Sequence, residues 1–105
     1  MKRVILESPF AGDVERNIKY ARQCARHSLS IGEAPIASHL LYTQDGILND
    51  ENEDERKLGI DAGLAWKEVA ELHVFYIDFG ISQGMQYAIN YATENNIEIE
   101  YRKIY

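Results

Sequence analysis

The sequence predicts an α/β fold, a small flavodoxin- or Rossmann-like three-layer sandwich with a four-stranded, mainly parallel sheet and helices on both faces. Short apolar runs alternate along the chain with longer segments whose apolar residues recur at helical spacing. The apolar runs are almost unbroken, as in strands that are buried on both faces of a parallel sheet. Since 105 residues suffice for one modest core, we expect a single domain over residues 1–105.

The first half of the chain is predicted to form a strand, a long helix and a second strand. VILE at 4–7 is typical of a short buried strand. A helix is expected from about Asp13 to Ile31, with Asp13 as its N-cap and Gly32 as its stop. Its apolar face is expected to consist of Val14, Ile18, Ala21 and Ala25. APIAS at 34–38 predicts the second strand, which should end at His39.

The second half of the chain repeats the alternation. Residues 42–57 are polar and aperiodic, and a second helix is expected from about Glu55 to Leu72. Its core face is predicted to consist of Ala62, Ala65, Val69 and Leu72. HVFYI at 73–77 predicts the third strand, and a third helix should follow over about Ser82–Asn95, with Met85, Ala88, Ile89 and Ala92 toward the core. IEIEY at 97–101 alternates apolar with acidic residues, which is typical of a strand near a sheet edge.

Composition and charge exclude several classes of protein. The net charge of −6 argues against binding a nucleic-acid polymer, because binding a phosphate backbone requires a basic face. The opening MKRVILESPF has only four apolar residues before Glu7, which is too few for a signal peptide or a membrane span. The single cysteine, Cys24, excludes an internal disulfide and fits a reducing cytosol, so we expect a cytoplasmic protein with no membrane partner.

Three loops should meet at one edge of the predicted sheet. In parallel α/β sheets the ligand crevice lies beyond the carboxyl ends of the strands. The segments that follow the first three strands are Glu7–Asp13, Ser38–His39 and Asp78–Gly84, and all contain Ser, Gly, Asp or His. The backbone N–H groups of such turns, with the positive end of the following helix, could bind an anion even in an acidic protein. The alternative is that these residues serve only as turn and cap residues.

These segments occur in the same order in a known superfamily. The opening strand is followed by Ser8-Pro9-Phe10-Ala11-Gly12-Asp13, a Pro35…His39 strand end comes next, and Asp78-x-Gly80-x-Ser82-x-Gly84 leads into the last helix. In this order and spacing the chain resembles the nucleoside 2-deoxyribosyltransferase-like superfamily, which includes the deoxynucleoside 5′-monophosphate N-glycosidases and related small phage and bacterial proteins. The resemblance spans nearly the whole chain.

The resemblance implies a site for a nucleoside or nucleotide. In the superfamily the first loop lies near the sugar and the base, and the Ser-x-Gly turn before the last helix holds a phosphate or a sugar hydroxyl. Family enzymes cleave an N-glycosidic bond with a carboxylate nucleophile, through a covalent sugar intermediate. The residues expected to bind the ligand are Ser8, Pro9, Phe10, Gly12, Asp13, His39, Arg56, Gly80, Ser82, Gly84 and Met85.

The chain departs from the superfamily at the nucleophile. In the N-glycosidases a glutamate lies four positions after the glycine of the Ser-x-Gly turn, where this chain has Ala88. Alignment on the Asp-x-Gly-Thr pattern of the transferases puts that glutamate on Gly84 instead. If chemistry survives, Asp78 at the carboxyl end of the third strand is the candidate catalytic residue, with Glu7 and Asp13 as weaker candidates. The alternative role of Asp78 is to cap its turn.

The remaining polar candidates have more than one possible role. His39 could hydrogen-bond a phosphate, act as an acid or base, or be structural. Arg56 is the one cation in the acidic segment 43–56 and could reach an anionic ligand or pair with a neighbouring acid. The segment itself is expected to be a solvated loop that acts as a lid. No metal or cofactor is expected, because no His/Cys cluster has zinc spacing and Glu55 stands where an EF-hand needs glycine.

Three functional hypotheses follow. The first is a binding or sequestering protein that holds a nucleotide-like molecule without efficient turnover, which Ala88 favours over the others. The alternative is an enzyme, a nucleotide N-glycosidase or deoxyribosyltransferase. The third is a dimeric scaffold with an unused pocket. We expect a homodimer or higher homo-oligomer in each case.

Overall fold

The computed structural model describes the whole chain, Met1–Tyr105, as alternating strands and helices. The strands are β1 (Lys2–Glu7), β2 (Glu33–Ile36), β3 (Leu72–Tyr76) and β4 (Ile99–Arg102). The helices are α1 (Val14–Ser30), α2 (Ser38–Leu41), α3 (Glu53–Leu64) and α4 (Gln83–Glu94), and a 3-10 turn covers Ala65–Glu68. The three longer helices each begin at a polar N-cap whose side chain accepts a backbone N–H, namely Asp13, Asn52 and Ser82.

The four strands form one sheet in the order β2-β1-β3-β4, and every pair is parallel. The chain therefore runs outward from β1 to β2 and then returns past β1 to β3, which makes the gap between β1 and β3 the topological switch point. Ile5 is level with Ile36 on one side and with His73 on the other. The predicted flavodoxin- or Rossmann-like three-layer fold is confirmed, with a sheet that is entirely rather than mainly parallel.

The core has one part on each face of the sheet. On the first face, α1 covers a buried cluster of Val4, Leu6, Tyr20, Cys24, Leu72, Val74 and Tyr76. On the second face, α4 packs Met85 and Ala88 against Phe75, with Ile89 and Ile99 at the margin. This arrangement agrees with the predicted core face of the last helix, where Ala92 is also fully buried. None of the helices combines the length and apolar character needed to cross a bilayer.

Two predicted elements differ from those observed. The second strand stops at Ile36, and Ser38–Leu41 forms a single helical turn, so His39 lies in a helix rather than at a strand end. The second long helix ends at Leu64, and Leu72 begins β3 instead of completing a helical face. Close packing is one reason that α2 and α3 lie where they do, because a Cβ on Gly63 would come within 2.5 Å of the Ser38 hydroxyl.

The buried face of α1 is rotated from the predicted one. Its buried residues are Asn17, Tyr20, Ala21, Cys24 and Ser28, whereas Val14 is 39% exposed. The predicted face omitted Asn17 and Tyr20 because it was based on the spacing of other apolar residues. Both can be buried because their polar atoms form hydrogen bonds within the protein. The Asn17 amide donates to the carbonyl oxygen of Phe10 at 2.9 Å, and the Tyr20 hydroxyl donates to Asp78 at 2.6 Å.

A buried ion pair joins the two edge strands. The Arg102 guanidinium on β4 binds both carboxylate oxygens of Glu33 on β2, at 2.6 and 2.7 Å, and Ser28 donates to the same carboxylate at 2.7 Å. The two side chains are only 9% and 8% exposed. The hydrogen bonds from Arg102 lower the pKa of the Glu33 carboxyl, so the pair is charged at neutral pH.

Candidate functional site

A pocket opens on the second face of the sheet, beside the carboxyl end of β1 and between α2, α3 and the start of α4. Its cavity of about 130 Å³ is close to the size of an apolar cavity that admits one six-membered ring. Its walls come from four stretches of chain, each contributing polar and apolar side chains. They are Glu7, Ser8, Phe10 and Ala11; Ser38, His39, Tyr42 and Thr43; Leu48, Asp50, Glu55, Arg56, Gly59, Ile60 and Leu64; and Ser82, Gln83, Gly84, Met85 and Ala88.

The three loops that were expected to share a crevice do line this one pocket. The predicted site residues found in its wall are Ser8, Phe10, His39, Arg56, Ser82, Gly84 and Met85. Five other predicted residues are not in the wall, namely Pro9, Gly12, Asp13, Asp78 and Gly80.

Asp78 is turned away from the pocket and is held by the C-terminal segment. Its carboxylate accepts hydrogen bonds from the Tyr20 hydroxyl at 2.6 Å and from the backbone N–H groups of Ile104 and Tyr105, each at 3.0 Å. Burial would raise the pKa of this carboxyl, but the hydrogen bonds outweigh burial and lower it. These three hydrogen bonds hold the Asp78 carboxylate outside the wall of this pocket, and its role as a nucleophile stays a prediction.

The other residues outside the wall have structural explanations. Asp13 caps α1 by accepting the Arg16 N–H at 3.2 Å. Gly12 and Gly80 adopt φ values of +97° and +82°, which favour glycine in their turns. Pro9 is buried, next to Phe10 in the same loop. These residues therefore shape the loops without reaching the ligand space.

Ser8 and His39 form a hydrogen-bonded pair in the pocket wall. The Ser8 hydroxyl lies 2.7 Å from His39 Nε2, although the two residues are 31 positions apart. Burial lowers the pKa of His39 below its usual value, and the nearby Glu7 carboxylate only partly opposes this effect. His39 is thus neutral at neutral pH, and its Nδ1 is buried without a partner. The pair can donate or accept a hydrogen bond, but it supplies no positive charge.

Glu7 is a pocket carboxylate that is fixed by a histidine behind it. Its Oε1 lies 3.2 Å from Nε2 of His73, which is 0% exposed, and the Glu7 side chain itself is 15% exposed. His73 stacks on Phe75 in the core below, with ring centroids 4.7 Å apart. Glu7 was only a weak candidate from sequence, whereas the structure places it in the pocket wall with its carboxylate held by His73.

Arg56 is the only Lys or Arg side chain in the pocket wall. It forms no salt bridge, although Asp50 and Glu55 belong to the same wall. The expected alternative, an ion pair with a neighbouring acid, is therefore absent. The segment 43–56 does border the pocket, as a lid would, and its last four residues, 53–56, form the first turn of α3.

The start of α4 faces the same space. The Ser82 hydroxyl accepts the Met85 N–H at 3.2 Å, which caps the helix and leaves the N–H groups of Gln83 and Gly84 without intrahelical acceptors. Gly84 has no atom within 4 Å of the position a Cβ would take, so a ligand can approach the backbone there. Ala88, one turn further on, is 3% exposed and contributes to the wall. No group of three or more His, Cys, Asp or Glu side chains is arranged to hold a metal ion.

Comparison with known proteins gives one match. A family model described as a domain of unknown function (DUF7768) matches residues 2–102. The chain belongs to the DUF7768 family. None of the curated proteins matches the chain, and none of the solved structures does. The DUF7768 match includes every element that lines the pocket, from β1 through α4.

Sequence reasoning missed much of the apolar wall of this DUF7768 domain. Tyr42, Leu48, Ile60 and Leu64 line the pocket from a segment that was expected to be solvated or to face the core. These residues line the pocket because α3 packs against α2, and a tertiary contact of this kind cannot be predicted from local sequence patterns. The Glu7–His73 pair left no local signal, because Glu7 is level with Phe75 and Ile5 with His73. The contact is therefore diagonal and depends on the register of two parallel strands.

Proposed function

We propose that this DUF7768 domain binds a nucleotide-like small molecule, one ring bearing an anionic group, and does not turn it over efficiently. The observation that carries the proposal is that an unpaired cation, Arg56, and the capped start of α4 line the same pocket beyond the strand ends. This is the position at which parallel α/β sheets bind their ligands. The proposal includes membership of the nucleoside 2-deoxyribosyltransferase-like superfamily and a cytoplasmic location.

The anionic group is assigned to the wall formed by Arg56 and α4. Free N–H groups at a helix start, together with the helix dipole, favour a phosphate or carboxylate. Arg56 adds a full positive charge and up to five N–H donors, none of which is used by a protein acid. Elsewhere the wall contains the acids Glu7, Asp50 and Glu55, which would repel an anion.

The ring is assigned to the apolar part of the pocket. Phe10, Leu48, Ile60 and Met85 supply wall that a flat base could contact, and about 130 Å³ accommodates a single ring rather than a dinucleotide. A larger ligand would extend into the mouth of the pocket. The combination of one buried ring and one anion fits a mononucleotide.

Slow turnover is proposed because the expected nucleophile is missing. The resemblance puts a glutamate at position 88 or, in the transferase alignment, at position 84, and this chain has Ala88 and Gly84 at those points of the wall. Asp78 is engaged by Tyr20 and the C-terminal segment and does not substitute for it. The enzymatic alternative, N-glycosidase or deoxyribosyltransferase activity, rests on a carboxylate of the pocket wall, Glu7, which would have to attack the anomeric carbon or activate water there.

Calorimetry with nucleosides and their 5′-monophosphates tests the anion assignment. We expect the monophosphates to bind at least about tenfold more tightly, a difference of ~1.4 kcal/mol. Ser82→Asp should retain the helix cap, since Asp caps well, yet abolish this preference by placing a negative charge at the phosphate position. Asn52→Asp is the matched control, because it makes a comparable change at the N-cap of α3, outside the pocket wall.

Two outcomes would contradict the proposal. Equal affinity for nucleosides and monophosphates in the unmodified protein would remove the anion site. Rapid release of free base from any deoxynucleoside monophosphate, followed by chromatography over hours, would show that the protein is an enzyme. The expected homodimer or higher homo-oligomer stays a prediction, which analytical ultracentrifugation measures directly.

A further inference from the structure

We infer that Glu7 selects ligands whose sugar carries a free 2′-hydroxyl, so that the pocket prefers ribonucleotides to 2′-deoxyribonucleotides. This inference rests on the proposed function, because it names the sugar of the same ligand. It departs from what the deoxyribosyl chemistry of the resembling superfamily would suggest. The arrangement of hydrogen bonds around Glu7 carries the inference.

One oxygen of the Glu7 carboxylate is used by the protein and the other is free. Oε1 lies 3.2 Å from His73 Nε2, whereas Oε2 has no hydrogen-bond partner in the chain. Oε2 is also absent from the buried unpaired atoms, so it is open to solvent, and Glu7 belongs to the pocket wall. A carboxylate oxygen accepts up to two hydrogen bonds. The free oxygen is therefore an unused acceptor on a residue of the pocket wall, and ligand donors can satisfy it.

The histidine behind Glu7 fixes this orientation. His73 is 0% exposed and its Nδ1 is buried without a partner. Nε2 is the only ring nitrogen of His73 that has a partner, and that partner is a carboxylate oxygen, which can only accept, so Nε2 carries a hydrogen. Nε2–H then donates to Oε1, and the stacked Phe75 holds the ring in place. A carboxylate held in this way keeps its second oxygen in one direction, as histidine–carboxylate pairs do at binding sites.

No cation neutralises Glu7 from the pocket side. Its other neighbour in the wall, His39, is kept neutral by burial and is already paired with Ser8 at 2.7 Å. Glu7 therefore presents a carboxylate oxygen and no donor to the pocket. A ligand phosphate cannot lie against it, which agrees with the phosphate being held at Arg56 and the start of α4. The ligand group that contacts Glu7 should therefore be one that donates hydrogen bonds.

On a mononucleotide the donors near the ring and away from the phosphate are the sugar hydroxyls. A ribose offers two neighbouring hydroxyls to one carboxylate, and acidic side chains in dinucleotide-binding α/β folds use the ribose 2′-hydroxyl in this way. A 2′-deoxyribose offers one. Sites built to hydrogen-bond a hydroxyl discriminate strongly against the analogue that lacks it, because a polar group is left unpaired.

The test compares the four common ribonucleoside 5′-monophosphates with their 2′-deoxy counterparts by calorimetry. For the base that binds best, we expect the ribonucleotide to bind at least about tenfold more tightly, a modest value because the free oxygen is partly solvated. Glu7→Gln should reduce that ratio to about threefold or less, because a neutral amide oxygen is a weaker acceptor. Glu94→Gln, the same change on an exposed residue outside the pocket, should leave the ratio unchanged.

The outcomes separate this inference from the proposed function. If monophosphates bind but ribo and deoxy forms bind equally, or the deoxy form binds more tightly, the inference about Glu7 is overturned and the proposed function stands. If no monophosphate of either kind binds, the proposed function fails and takes this inference with it. The ratio of ribonucleotide to deoxyribonucleotide affinity is measured first in the unmodified protein. The inference can therefore be refuted even if the Glu7→Gln variant does not fold.

Discussion

Replacing Asp78 with asparagine separates the two roles considered for this residue. The carboxylate accepts from three donors, the Tyr20 hydroxyl and the N–H groups of Ile104 and Tyr105. Asparagine has one acceptor oxygen and an NH₂ group, so at least one donor would face another donor. Tyr20 is only 1% exposed and cannot turn to water, whereas the two backbone groups can.

The expected loss of stability comes mainly from the hydrogen bond between the Tyr20 hydroxyl and Asp78, which water cannot replace. Tyr20 and Ile104 donate to the same oxygen, Oδ2, so an asparagine oxygen at that position keeps both bonds but without the charge. Because a hydrogen bond to a charged acceptor contributes about 1.5–3 kcal/mol and a neutral one about 0.5–1.5 kcal/mol, Asp78→Asn should lower the free energy of unfolding by about 1–2 kcal/mol. Tyr20→Phe should lower it comparably, and the double variant should lose less than the sum, since both changes remove the same interaction. Urea denaturation followed by circular dichroism measures all three.

The dependence on pH gives a second measure of the same contact. The folded-state pKa of Asp78 is lowered from 3.8, so its stabilisation is fully present above that value and is lost as the pH falls through the lowered folded pKa. The difference between wild type and Asp78→Asn should therefore shrink below about pH 4. Ligand affinity should not change at neutral pH. A variant as stable as wild type, or one that folds but no longer binds ligand, would refute this account of Asp78.

Three further predictions follow from other contacts. Gly63→Ala should destabilise the domain by about 1–3 kcal/mol in a thermal melt, because its Cβ would lie 2.5 Å from the Ser38 hydroxyl, and an unchanged melting temperature would count against this packing. Ala88→Glu should make release of free base detectable by chromatography, since it places a carboxylate in the pocket wall; a folded variant that releases none would argue against the superfamily mechanism. Burial raises the pKa of Cys24 to about 12, so its thiol should react with a disulfide reagent at pH 8 only as fast as the protein unfolds, and prompt reaction of the native protein would contradict this.

The fold was predictable because its determinants are local. The first three strands contain short apolar runs, the fourth alternates apolar with polar residues, and α1 and α4 repeat apolar residues at helical spacing. Element order and sheet type follow from this alternation. The one-turn helix at Ser38–Leu41 was missed because four residues carry no periodicity. The end of α3 was misplaced because Ala65 and Val69 continue the helical spacing, although the backbone changes to a 3-10 turn there.

The site was only partly predictable because its pairs are distant in sequence. Loops after strands could be assigned to one crevice from topology alone, and Ser8, His39 and Ser82 were found in that way. The direction of the Asp78 carboxylate could not be foreseen, since its partners lie 26 and 27 residues further along the chain and act through backbone N–H groups that have no sequence signature. The identity of the Asp78 side chain alone could not distinguish a catalytic role from a structural role in the turn.

The ion pair between the edge strands also constrains when the chain can fold during synthesis. Glu33 is buried in the native domain, and its charge is compensated by Arg102, which is made 69 residues later. Until that arginine leaves the ribosome, packing β2 in its native place would bury an uncompensated carboxylate, which is strongly unfavourable. A nascent chain that ends before Arg102 should therefore keep its N-terminal half open, and folding should become cooperative only once β4 has been released.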